Sequence, residues 1–132
     1  MILSTRKLGT TILMSSALLL PTAGIASQPP ADYLQYCSGC HGESGKGDGP
    51  LAANMKTEPA NLTNISHFYK GKFPTKVIRQ TIAGTATDRT NAQFHGPVDM
   101  PVWGKVFRDQ SGDFIAQRRI DVLVEYIESI QK

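Results

Sequence analysis

Two cysteines and a histidine, Cys37, Cys40 and His41, follow one another in the pattern C-x-x-C-H, and these are the only two cysteines of the chain. Two thiols separated by two residues lie within about one turn of chain, where each can add to one vinyl group of the same porphyrin. The neutral imidazole of the next residue is a good ligand for iron. The motif therefore predicts one covalently attached c-type haem with His41 as an axial ligand.

Three other uses of paired cysteines fit this sequence less well. A thioredoxin-like C-x-x-C is expected within a βαβ pattern, and no strand-rich segment leads into the motif. A structural zinc site needs four ligands, and only His67 and His95 remain, neither at a finger-like spacing. A disulfide across so small a loop would constrain the unfolded chain little, because the entropic gain grows with loop length.

The first 26 residues have the three parts of a secretory signal peptide. Arg6 and Lys7 precede an apolar run over residues 8–20, and small residues then lead to Ala26, after which we expect cleavage. The run is interrupted by glycine, serine and threonine, so it is short and polar for a membrane span of roughly 20 apolar residues. A retained anchor is the less favoured alternative. Because such cysteines belong outside the cytosol, we expect a periplasmic protein without a stable membrane anchor.

Residues 27–132 are expected to form one domain built on its cofactor. Their number falls in the size range of a single domain, and no internal repeat or second C-x-x-C-H is present. A chain this short buries a thin core, which a large flat apolar haem would fill. Loss of Arg6 and Lys7 with the leader lowers the formal net charge from +3 to about +1. A charge so near neutral argues against binding of nucleic acid.

Helical patterns dominate this domain. A first helix is predicted from residue 31, delivering Cys37 to the haem, and a glycine-rich loop follows over residues 42–50. A short amphipathic helix is predicted over residues 74–83, ending at Gly84. The clearest helix covers residues 117–131, with Ile120, Leu123 and Ile127 on its apolar face. We expect that face to pack on the first helix.

Met100 is the candidate for the second axial ligand. It opens the segment Met-Pro-Val-Trp-Gly, and thioether sulfur is a soft neutral donor that suits haem iron opposite histidine. Pro101 favours an extended backbone at Met100, so the segment can lie against a haem face. Met55 follows His41 too closely to reach the opposite face easily, and His67 and His95 are expected at the surface or behind the ligands. The alternative for Met100 is simple core packing.

Three further residues are predicted to lie in the haem pocket: Pro50, Leu51 and Trp103. Leu51 could cover the haem, and Trp103 is most simply a core aromatic whose indole N–H could reach a propionate. A backbone carbonyl near His41 could accept the proton on its other ring nitrogen, which would fix the tautomer and raise the basicity of the ligand.

The chain resembles the class I cytochrome c family in five features taken together. These are the early C-x-x-C-H, the glycine-rich loop closing on Gly49-Pro50, the short middle helix, Met-Pro-x-Trp-Gly and the terminal helix. The segment from residue 95 to 104 is similar to small bacterial periplasmic cytochromes. The resemblance covers nearly all of residues 27–132 and implies an all-α cytochrome c fold of several short helices around one covalent haem, with the terminal helices in contact. It also implies thioethers at Cys37 and Cys40, His41 and Met100 as axial ligands, and the Pro50 carbonyl as the partner of His41. The long loop over residues 85–93 departs from the family pattern.

The function implied is one-electron transfer between Fe(III) and Fe(II). With both axial positions filled, a carrier is expected rather than an enzyme. A cytochrome subunit of a periplasmic oxidoreductase is one alternative, and a haem sensor or enzyme with an open iron site, if Met100 is not a ligand, is the other. The expected partners are redox proteins such as a dehydrogenase, reductase or oxidase, and we expect a monomer.

Charged residues are unevenly distributed along the chain and could steer a partner to one side. Ordinary solvated surface is an equally good interpretation. The basic group is Lys56, Lys70, Lys72, Lys76 and Arg79, and the acidic group is Asp109, Asp113, Asp121, Glu125 and Glu128.

Overall fold

The computed structural model describes residues 28–86 and 100–132, and within these ranges every regular element is a helix. The predicted leader, its cleavage site and His95 lie outside the described residues. None of the helices in the described ranges is both long enough and apolar enough to cross a membrane. The helices are α1 Ala31–Tyr36, α2 Ser38–His41, α3 Ile65–Phe68, α4 Thr75–Ala83 and α5 Trp103–Ser129, with single 3₁₀ turns at Ala52–Asn54 and Leu62–Asn64. For these described ranges the prediction of an all-α fold class is confirmed.

Helices α1 and α2 are nearly continuous and meet at Cys37. Pro30 lies just before α1 with an extended backbone, and its carbonyl accepts hydrogen bonds from the N–H groups of Tyr33 and Leu34 at 2.9 and 3.1 Å. Proline is well placed there because a missing N–H costs nothing before the first turn. Gly42 ends α2 with a φ of 76°, a conformation that glycine adopts without strain.

Helix α4 matches its predicted bounds almost residue for residue. It ends at Gly84, whose left-handed backbone (φ 72°) allows its N–H to cap the carbonyl of Thr81 at 3.2 Å. Ile78 and Ile82 are the buried residues of this helix, as their spacing predicts. The sequence signals for a helix start and stop were sufficient here.

Helix α5 is longer than predicted. Its backbone leaves the helical region at Gly112 (φ 75°, ψ 168°), so it consists of two helical segments joined at a kink. The segment before the kink, which begins at Trp103, was not predicted. The close approach of α5 to α4 explains the glycine in that segment, because a Cβ on Gly104 would lie 2.8 Å from the Cα of Ala83.

The predicted contact between the terminal helices is confirmed. Tyr33 of α1 is fully buried, and its ring packs edge-on against the ring of Tyr126 of α5 with the centroids 4.7 Å apart. Ile120 and Leu123 are also buried at or near 0 % exposure in the same apolar cluster. The apolar face read from residues 117–131 is therefore the face that builds the core.

Arg119 ties the two terminal helices together. Its guanidinium donates two hydrogen bonds to the carboxylate of Asp32, from Nε at 2.8 Å and from Nη2 at 2.7 Å. The same guanidinium lies over the ring of Phe107, 4.0 Å from the centroid. The hydrogen bonds to Asp32 raise the pKa of Arg119, against a smaller opposing effect of burial. Paired charges in this geometry hold α1 in one register on α5.

We expect the substitution Arg119→Met to lower the free energy of unfolding by about 2 kcal/mol, because it removes two charge-assisted hydrogen bonds and leaves Asp32 without its partner. The pair is partly screened, since the side chains are 19 % and 24 % exposed. Urea unfolding followed by circular dichroism measures the change. The matched control is Arg118→Met, an exposed neighbour on the same helix, for which little change is expected.

Candidate functional site

The C-x-x-C-H segment forms the junction of α1 and α2. The N–H of Cys37 bonds to the carbonyl of Tyr33 at 2.9 Å, and the N–H of His41 bonds to the carbonyl of Cys37 at the same distance. Both thiols are free and half-buried, and His41 is also half-buried. The structure therefore brings two reduced thiols and one imidazole together on successive helical turns.

Cys37 is chemically distinct from an ordinary surface thiol. Burial, with smaller contributions from the nearby charges of Asp32 and Cys40, raises its pKa to about 12. A thiol with such a pKa stays protonated at neutral pH, so spontaneous thiolate chemistry is suppressed there.

The partner of His41 is the carbonyl of Ala60, which lies 3.0 Å from Nδ1. The prediction that the Pro50 carbonyl is this partner is wrong. Residues 49–51 meet the motif through their N–H groups instead, because Gly49 donates to the carbonyl of Cys40 at 3.1 Å and Leu51 to that of Gly39 at 2.8 Å. The chain returns ten residues later and supplies the carbonyl at Ala60.

The Ala60 contact fixes the chemistry of the His41 ring. A carbonyl can only accept, so Nδ1 carries a proton, and in the neutral ring Nε2 then keeps its lone pair. Burial lowers the pKa of His41, and the hydrogen bond to Ala60 partly opposes that effect. His41 is thus held as a neutral imidazole whose free nitrogen can bind a metal.

Two buried tyrosines hold the backbone just after His41. Tyr33 donates its hydroxyl to the carbonyl of Gly42 at 2.7 Å, and Tyr126 donates to the carbonyl of Glu43 at 3.2 Å. These bonds connect the core of the terminal helices directly to the end of α2. No pattern in the sequence indicates this role for either tyrosine, and it was not predicted.

The Met100 segment reaches the motif through Trp103. Met100 is half-buried and lies three residues before Trp103, which begins α5. The Trp103 ring packs 5.1 Å from the ring of Tyr36, the residue directly before Cys37. The candidate second ligand therefore stands close in sequence to a side chain that packs beside the cysteine motif.

The other candidate ligands are placed differently. His67 is exposed on α3, with its ring 5.7 Å from that of Phe68, in agreement with the predicted surface position. Met55 is half-buried at the end of the first 3₁₀ turn. Pro50 is exposed, and its place in a haem pocket stays a prediction.

Exposed apolar side chains, one at the motif and one next to the Met100 segment, fit a large flat apolar group. Leu51 is 54 % exposed, and its side chain lies against Gly39 between the two cysteines. Val102, between Met100 and Trp103, is 51 % exposed. Large aliphatic side chains gain about 25 cal/mol for each Å² that is removed from water, so both would be stabilised by an apolar cover. Together with two thiols and an imidazole, these residues fit a covalently attached haem.

Comparison of the chain with protein-family models, with curated proteins and with solved structures finds no match. The chemistry of the site follows from its donor atoms. Two thiols can form thioethers, and the Nε2 of His41 can coordinate iron.

Ion pairs reduce the charge asymmetry read from the sequence. Arg79 of the basic group pairs with Asp121 of the acidic group across α4 and α5. Asp109 pairs with Lys105, and Asp113 lies 3.9 Å from Arg108. The other members of the basic group, Lys56, Lys70, Lys72 and Lys76, are exposed, and none of them takes part in these ion pairs. Steering by the basic group would therefore depend on these four lysines.

Alkaline pH is expected to destabilise the fold through Tyr33. Burial raises the pKa of Tyr33 well above its ordinary value of 10.0, with a smaller contribution from Tyr126. The unfolded chain therefore loses this proton at a lower pH than the folded chain, so stability is full below pH 10 and falls as the pH rises above it. Unfolding free energies measured between pH 8 and about pH 11.5 test this. In Tyr33→Phe the fall above pH 10 should be shallower; an unchanged slope would contradict the assignment.

Proposed function

We propose that this chain is an exported one-electron carrier of the class I cytochrome c type, in which one haem is attached through Cys37 and Cys40 and ligated by His41 and Met100. The observation that carries the proposal is the geometry at His41. Nδ1 of its ring lies 3.0 Å from the Ala60 carbonyl, and the residue follows two free thiols at haem-attachment spacing. Bound haem would supply a reversible one-electron change at iron.

The residues of the chain would bind and orient that group. Cys37 and Cys40 would fix it to the junction of α1 and α2. In each addition the sulfur would bond to one carbon of a vinyl group and the thiol hydrogen would go to the other carbon, so no oxidant is needed. His41 would present Nε2 to the iron, and Leu51 and Val102 would cover apolar surface. A carrier benefits from this arrangement because a rigid ligand set changes little between the two oxidation states.

Ligation by both His41 and Met100 distinguishes a carrier from an enzyme. If both axial positions are filled, no small molecule can reach the iron, and the protein can only pass electrons. Thioether ligation also raises the reduction potential. Electron exchange would then take place with redox partner proteins, such as a dehydrogenase, reductase or oxidase, in the periplasm.

The test is an optical spectrum of the exported protein, oxidised and reduced, compared with that of Met100→Ala. We expect the weak absorption band of sulfur-to-iron ligation in the oxidised parent and its loss in the variant. Met55→Ala is the matched control, since it removes the other methionine of the described residues and should keep the band. A parent without that band, or a band that survives in Met100→Ala, would refute Met100 as a ligand.

A further inference from the structure

The two residues that end the chain after α5, Gln131 and Lys132, contact the turn next to the Ala60 carbonyl, the partner of His41. We propose that Gln131 is a positioning residue for His41, acting through the Ala60 carbonyl to set the reduction potential of the bound haem. The inference rests on the proposed function and goes beyond it, because it assigns a role to a residue far from the cysteine motif in sequence.

Gln131 uses both ends of its side-chain amide. Its Oε1 accepts a hydrogen bond from the N–H of Ser66 at 2.9 Å, and its Nε2 donates to the carbonyl of Leu62 at 2.6 Å. Nε2 also donates to the carbonyl of Ile127, one turn back in α5, at 2.7 Å. The next residue adds a fourth contact, from the N–H of Lys132 to the carbonyl of Thr63 at 3.0 Å. The end of α5 is thereby fastened to the turn over residues 62–66.

That turn is directly connected to the Ala60 carbonyl. Asn61 lies between them, and its side chain accepts hydrogen bonds from the N–H and the hydroxyl of Thr63 at 3.0 and 2.8 Å. On the other side, the N–H of Leu62 bonds to the carbonyl of Gly45 at 2.7 Å. Residues 60–64 therefore form a short hydrogen-bonded unit, which Gln131 contacts at the Leu62 carbonyl and just beyond it at the N–H of Ser66.

The distance from Nδ1 of His41 to the Ala60 oxygen depends on where this unit lies. A hydrogen bond from Nδ1 raises the basicity of a ligating imidazole, and partners of this kind tune metal sites even when they do not touch the metal. A more basic imidazole favours Fe(III) over Fe(II). Weakening the bond by releasing residues 60–64 is therefore expected to raise the reduction potential.

The test compares Gln131→Met with Gln117→Met in the full exported protein carrying its haem. Methionine has nearly the length of glutamine but cannot make these hydrogen bonds, and Gln117 is an exposed residue of α5, whereas Gln131 lies just beyond the end of that helix. For Gln131→Met we expect a three- to tenfold shift of the reduction equilibrium toward Fe(II), up to about 59 mV for a one-electron couple. Hydrogen exchange of the His41 Nδ1 proton should also become faster. Gln117→Met should change neither quantity.

A purely structural role would lower the melting temperature of Gln131→Met while leaving the potential and the Nδ1 exchange at parent values, and that result would overturn the proposal. Gln131→Glu is the second variant if Gln131→Met does not fold, since it keeps the acceptor for Ser66 but removes the donor to Leu62. A reduction potential equal to that of the parent in Gln131→Glu would also overturn the proposal. Absence of haem in the parent would refute the proposed function itself, whereas normal haem with an unchanged potential would refute only the role of Gln131.

Discussion

The double substitution Cys37→Ala with Cys40→Ala is expected to abolish covalent haem attachment completely. Both thiols are free in the structure, and they are the only cysteines of the chain. Without them no thioether can form, so the haem would be lost when the protein is denatured. The mass of the denatured exported chain measures this directly: the parent should carry the mass of one haem, and the variant none.

Ser38→Ala is the matched control for the cysteine variant. Ser38 lies between the two cysteines, and its hydroxyl donates to the carbonyl of Leu34 at 2.6 Å without taking part in the proposed attachment. This variant should keep the haem mass of the parent. Parent chains that lack this mass, or haem that remains covalently bound after loss of both thiols, would contradict covalent attachment through Cys37 and Cys40.

Gly49→Ala is expected to have the largest effect on folding, at about 3 kcal/mol or more. A Cβ at Gly49 would lie 2.6 Å from the carbonyl oxygen of Ser38 and 2.7 Å from the carbonyl carbon of Cys40, and it would also collide with the Gly39 oxygen. These neighbours are backbone atoms of the cysteine motif and cannot rotate away. Overpacking of this kind costs typically 1–3 kcal/mol and occasionally more. The expected result is a large fall in the urea midpoint with loss of haem.

Gly71→Ala is the control that distinguishes the steric clash at Gly49 from the conformational cost of replacing a glycine. Gly71 has a φ of 82° but no neighbour within 4 Å of a built Cβ, so the substitution should cost only the strain of the left-handed region, about 1–2 kcal/mol. A cost for Gly49→Ala no greater than that for Gly71→Ala would show that residues 49–51 can move away from α2, contrary to the packing described.

The sequence predicted the features that depend on local chemistry. Helix α4 could be bounded from Pro74 and Gly84 because proline and glycine act through their own backbones. The apolar face of the last helix could be read because its period is local. That face was expected to pack on the first helix, as the family resemblance also implies, and the packing of Tyr33 on Tyr126 confirms the contact.

The parts that were wrong or missed depend on tertiary contacts. Nothing in the residues marks Ala60, rather than Pro50, as the partner of His41, since any carbonyl can accept and the path of the loop decides. The first segment of α5 was not predicted, because Pro101 favours an extended backbone at Met100 and this was taken to continue into the following residues. The spacing of Trp103 and Phe107, four residues apart and packed with ring centroids at 6.4 Å, was an available helical signal.

The contacts of Gln131 also could not be predicted from local sequence patterns. A glutamine near the end of a helix has no sequence feature that distinguishes it from the exposed Gln117, and both lie in the helix predicted over residues 117–131. Only the folded chain brings its amide to Ser66 and Leu62. Positioning roles of this kind follow from the path of distant loops rather than from local residue patterns.

The most direct measurement is a potentiometric titration of the exported protein, followed by its optical spectrum and repeated under carbon monoxide. A one-electron carrier ligated by His41 and Met100 should titrate reversibly in a single one-electron step, remain low-spin in both oxidation states and show no spectral change with carbon monoxide. A high-spin spectrum with ready binding of carbon monoxide would contradict electron carriage and would indicate an iron site open to small molecules.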